Sequence, residues 1–113
     1  IGQIEGGFIQ GMGWLTTEEL VWNADGKLAT HAPSTYKIPA TGDVPAQLRV
    51  DFWPEANRED NVFGSKAVGE PPFMLAIAVW EAIRDAVATA RGDDRVRMDA
   101  PATAERVWRA LQD

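Results

Sequence analysis

A chain of 113 residues is the size of one domain, so a single domain over residues 1–113 is expected. Its net charge of −6, from 11 Lys+Arg against 17 Asp+Glu, argues against nucleic acid as the main partner, which would call for a basic face. With no cysteine and a single histidine, His31, the chain has no disulfide, no thiolate or histidine-rich metal site and no cysteine nucleophile; no apolar run reaches membrane-spanning length and no signal peptide is visible, which points to a soluble, cytoplasmic setting without a membrane partner.

In residues 1–15, Ile4, Phe8, Met12 and Leu15 recur at helical spacing. The segment also holds Gly2, Gly6, Gly7, Gly11 and Gly13, each of which costs about 1 kcal/mol relative to alanine inside a helix. A helix is expected only if close contact offsets that cost. Gly7 and Gly11 share a face that admits either another backbone or a flat ligand. Gln3 and Gln10 are the polar groups here, and the Gln3 amide, with donors and an acceptor, suits a heterocyclic edge. Ile1 in place of methionine, and an apolar, glycine-rich start, suggest a piece of something larger.

Residues 16–30 read as a hairpin around Asn23-Ala24-Asp25-Gly26. Pro33, Pro39, Gly42 and Pro45 mark residues 31–46 as loop, with Ser34–Pro39 in its middle and His31 an ordinary loop histidine. In residues 47–53, Leu48, Val50 and Phe52 alternate with Gln47, Arg49 and Asp51, the pattern of a strand buried on one face. A charged loop, 55–61, follows. Residues 73–90 are expected as one helix, its uncharged first two turns buried all round and Glu81, Arg84 and Asp85 facing solvent. Arg91-Gly92 supplies its stop. A short strand at 95–98 and a last helix capped by Thr103, with Val107, Trp108 and Leu111 on one side, complete the chain. The sum is an α+β fold of two layers, a small mixed sheet covered by helices.

Chemistry concentrates in Ser65-Lys66-Ala67-Val68-Gly69-Glu70-Pro71-Pro72-Phe73. Pro71 biases Glu70 toward extended backbone, and both prolines suit the first turn of a helix. A carboxylate there meets two opposing influences. Desolvation disfavours its charged form and makes it a better base, whereas the helix dipole favours the charged form. A plain helix cap is the alternative reading of Glu70, as tight helix packing is of the glycines.

Three motifs occur in order: Gly2-Gln3-Ile4-Glu5-Gly6-Gly7-Phe8-Ile9-Gln10-Gly11-Met12-Gly13, then Pro33-Ser34-Thr35-Tyr36-Lys37-Ile38-Pro39, then Ser65–Pro72. Together they resemble the C-terminal part of the molybdopterin-binding subunit in the xanthine dehydrogenase family of molybdenum hydroxylases. The resemblance runs from Ile1 to about Ala90, and Pro101-Ala102-Thr103 also fits it. It implies a segment of the molybdenum cofactor-binding domain in which Glu70 is the general base, Gln3 hydrogen-bonds the pterin, and the backbone of Lys66, Ala67, Val68 and Gly69 forms the loop beside the cofactor. No residue of the chain is expected to ligate a metal. The implied reaction is hydroxylation of a purine, hypoxanthine to xanthine to urate, with water as the oxygen source. Electrons then leave through 2Fe-2S clusters and FAD to NAD, all held elsewhere. The implied partners are the rest of the subunit and an iron–sulfur/FAD subunit, in a heterodimer that pairs again. The segment alone is expected to be inactive and to hold no cofactor. An aldehyde oxidase-type activity, or a non-catalytic packing module, is the alternative.

Overall fold

In a computed structural model, which describes residues 1–113, four α-helices carry the structure. They are α1 (Gly2–Thr16), α2 (Glu70–Leu75), α3 (Ile77–Arg91) and α4 (Ala104–Gln112), with single turns of 3-10 helix at Thr41–Asp43 and Val62–Gly64. The glycine-rich opening does form a helix, and the reason is close contact. A Cβ on Gly7 would stand 2.9 Å from the Gly69 carbonyl oxygen, and one on Gly11 would stand 2.3 Å from the Phe73 carbonyl oxygen. So α1 crosses α2 backbone against backbone, and the lost helix propensity is offset by that approach.

The expected helix over 73–90 is two helices. The chain turns at Ala76, whose N–H reaches back only three residues to the Phe73 carbonyl at 3.2 Å. Ala76 is fully buried at this turn, and its Cβ lies 2.8 Å from where a Gly11 Cβ would be, so the break falls where α1 crosses. The stop at Gly92 is as expected: φ is 67°, and its N–H bonds the Ala88 and Thr89 carbonyls. Thr103 caps α4, its Oγ1 accepting from the Arg106 N–H. On α4 the buried residue is Ala110, while Trp108 and Leu111 are exposed.

The expected α+β fold is not found, because no strand forms. The Asn23–Gly26 turn does reverse the chain, with Asn23 Oδ1 accepting from the Asp25 and Lys27 N–H groups. Its flanks, however, pair only through one antiparallel bridge, Trp22 to Leu28. A lone two-stranded ribbon is marginal in water, which explains why the pairing ends there. Residues 47–53 keep a trace of their alternation, with Leu48 and Val50 half-buried between exposed neighbours. No second strand lies beside them, and none forms at 95–98. The sheet that would cover these apolar faces is not built by these residues.

The start of the second predicted helix is also not buried all round: Met74 and Leu75 are 55% and 64% exposed. Nine of the 113 residues are buried, and none of the large side chains is fully so. The Cα radius of gyration is 17.5 Å, against about 13 Å for a compact domain of this length. The small core there is lies at the α1–α2–α3 crossing and under α4, around Met12, Ala76, Val87, Ala102 and Ala110.

Candidate active site

The α1–α2 crossing leaves a cleft of about 570 Å³ between the first half of α1 and the start of α2. Gln3 and Gln10 line it from α1; Gly69, Glu70 and Phe73 line it from the other side; Trp14 closes one end. Trp14 and Phe73 meet edge to face, their ring centroids 4.9 Å apart, and tie the two walls together. Gln3 and Gln10 are seven residues apart, which puts them two turns along one helix face. That spacing is the sequence signal that places Gln10 beside Gln3 in the cleft. Phe73 and Trp14 were missed, since nothing local marks an aromatic as a cleft wall.

Glu70 opens α2 with Pro71 and Pro72 in its first turn. The residue is therefore helical, where the following proline alone favours extended backbone. The Phe73 N–H closes the turn onto the Gly69 carbonyl at 3.2 Å, and that carbonyl packs on Gly7. Gly69 itself has an ordinary φ of −85°. The Glu70 carboxylate stands exposed at the cleft mouth, without the apolar cover expected beside it.

Not every expected residue reaches this cleft. Lys66 lines a separate depression with Phe52, Trp53 and the charged loop. Ala67 and Val68 are exposed on the run between the two. The middle motif packs on the other flank of α1. Pro39 sits against Gly13, Thr17 Oγ1 donates to the Lys37 carbonyl at 2.8 Å, and the Tyr36 hydroxyl donates to buried Glu18 at 2.5 Å. The hydrogen bond to Glu18, with burial and then the carboxylate's charge adding to it, pushes the Tyr36 phenol above its ordinary value. A second groove, lined by Glu18, Tyr36 and Pro39, shares Gly6, Gln10 and Trp14 with the cleft. The three sequence motifs thus converge around one helix.

The donor set suits a pterin. Two carboxamides each offer donors and an acceptor, matching the alternating ring nitrogens and carbonyl of a pterin edge. A Cβ at Gly2, Gly6 or Gly69 would meet nothing within 4 Å, so a flat group has open backbone to lie against. No group of three or more His, Cys, Asp or Glu side chains is placed to hold a metal ion. No helix is long and apolar enough to cross a membrane.

The comparisons agree with this chemistry. Residues 1–45 match the family model of the molybdopterin cofactor-binding domain. The whole chain is 46% identical over 117 residues to xanthine dehydrogenase/oxidase of Gallus gallus, and 45% identical over 124 residues to xanthine dehydrogenase of Oryza sativa subsp. japonica. It is 44% identical over 117 residues to aldehyde oxidase 2 of Macaca fascicularis. In the first two it spans 9% of the relative's length. The chain is similar over its whole length to xanthine dehydrogenases and aldehyde oxidases, and its first 45 residues match a molybdopterin cofactor-binding domain. The resemblance to xanthine dehydrogenase that the three motifs carry is matched by identity over the whole chain.

Proposed function

We propose that the chain is one wall of the molybdenum active site in an oxidoreductase of xanthine dehydrogenase type, with Glu70 as general base and Gln3 as a pterin ligand. One observation carries the reading: Gln3 and Glu70, 67 positions apart, line the same cleft in a chain similar throughout to these hydroxylases. When bound, the molybdenum cofactor supplies the oxidising centre through which oxygen from water reaches the substrate carbon. The protein's share is acid–base and positional. Glu70 accepts a proton at its carboxylate oxygen, from a place the α2 start fixes. Gln3 and Gln10 hold the pterin edge, and the Lys66–Gly69 backbone forms the approach to Glu70. Trp14 and Phe73 give the cleft its apolar lining. The substrate is a purine, and the remainder of the subunit covers the open side. The electron path through 2Fe-2S, FAD and NAD belongs to other parts of a larger oligomeric enzyme.

The test is xanthine turnover by the full-length enzyme carrying Glu70→Gln, with molybdenum content measured alongside. A rate lower by about 10²–10⁴ with metal retained is expected of a lost general base. An unchanged rate makes Glu70 a helix cap and ends the reading. The 44% identity to an aldehyde oxidase favours one second reading, an aldehyde as substrate. Comparing xanthine with an aromatic aldehyde in the same assay separates the two.

A further inference from the structure

Two carboxylates, Glu18 and Glu19, follow directly on the end of α1, and no basic residue stands in its last turn. Negative charge at a helix C-terminus opposes the helix dipole, so helix stability does not account for them. Their partners do. Glu18 is 8% exposed; its backbone N–H bonds the Gly13 carbonyl at 2.9 Å, and its carboxylate folds back over Gly13 to accept from Tyr36. Glu19 turns the other way and accepts from Arg106 Nη2 at 2.8 Å. Arg106 also donates to the Pro101 carbonyl at 2.9 Å, and beside it the Ala102 N–H bonds the Leu15 carbonyl at 2.7 Å. One arm thus reaches the Ser34–Pro39 motif and the other reaches α4. The groove that Glu18 and Tyr36 line also contains Gln10 and Trp14 of the cleft.

We propose that Glu18 and Glu19 form a two-armed clasp that sets the rotation of α1, and through it the place of Gln3 and Gln10 in the cleft. Glu18, Glu19, Tyr36 and Arg106 are then positioning residues for the pterin, an assignment that rests on the molybdopterin reading above. The Gly7 and Gly11 contacts set how close α1 lies to α2, and the clasp sets how the Gln3–Gln10 face is presented across that contact.

The experiment is a double-mutant cycle in the full-length, cofactor-loaded protein, read as the rate of pterin release by the fluorescence of the freed pterin. Tyr36→Phe and Gln3→Ala are each expected to speed release about tenfold. Glu18→Gln, which keeps an acceptor for the tyrosine, restores slow release where Glu18→Ala does not. If the clasp acts through Gln3 and Gln10, the double variant releases well short of a hundredfold faster. Multiplying effects would mean that the clasp merely holds the fold, and would overturn the proposal. Unchanged release in Tyr36→Phe, with faster release in Gln3→Ala, also overturns it but leaves the cleft reading standing. Unchanged release in Gln3→Ala overturns the cleft reading, and the clasp with it. Should Tyr36→Phe not fold, Arg106→Lys takes its place in the cycle with the same expectations.

Discussion

Tyr36 is the only tyrosine in the chain, so phenolate absorbance of the 113-residue protein reads it alone. Its phenol is held above the ordinary value of 10.0, first by the hydrogen bond to Glu18. A raised folded value means that this bond's contribution is complete below the ordinary tyrosine value and is lost as pH rises through the raised one. The stability deficit of Tyr36→Phe should therefore be constant around neutrality and shrink only above about pH 10. In an absorbance titration, Glu18→Ala should bring the midpoint back down; a midpoint unmoved by that change would mean that the bond is not made in solution. Thr103→Ala tests a simpler contact. Losing the cap of α4 should cost about 1 kcal/mol in urea unfolding of the full-length protein.

The glycines of α1 divide by what they face, and substitutions should divide with them. A Cβ at Gly11 would collide with the Phe73 carbonyl and Ala76, so Gly11→Ala should destabilise the crossing by about 1–3 kcal/mol. A Cβ at Gly6 meets nothing within 4 Å, so in cofactor-free protein Gly6→Ala should instead gain up to about 1 kcal/mol of helix stability. Thermal unfolding of the two full-length variants decides, and shifts in the same direction would refute the division. From sequence, periodicity located α1 and α4, and local chemistry located the Gly92 stop and the Thr103 cap, because those signals lie within a turn or two of what they control. Gln3, Gly69 and Glu70, singled out by their motifs, line one cleft. The break at Ala76 was not legible, since it is caused by a helix 65 positions earlier. The strands failed for a related reason. Alternation at 47–53 states which side of a strand wants cover, but pairing needs a neighbour that these 113 residues do not provide.

As a whole molecule the chain is open. Phe63, Trp53 and Phe52 are 101%, 78% and 67% exposed, and Phe63 holds a left-handed φ of 54° with no contact to offset its cost. Expressed alone, residues 1–113 should bind a hydrophobic dye, scatter with a radius of gyration near 17.5 Å, and retain no stoichiometric molybdenum. Bound metal at one equivalent would contradict the view that the cleft is only one wall of the site. Within this open chain one dimension is nevertheless invariant. The separation between the Gln3 wall and the Glu70 wall is set where Gly7 meets the Gly69 carbonyl and Gly11 meets the Phe73 carbonyl, main chain on main chain. Only the Pro72 and Ala76 Cβ atoms add side-chain matter to that contact, and neither can adopt another rotamer. The gap is a gauge of fixed length: altering side chains elsewhere on the walls changes how the cleft is lined, and only moving the backbone changes its width.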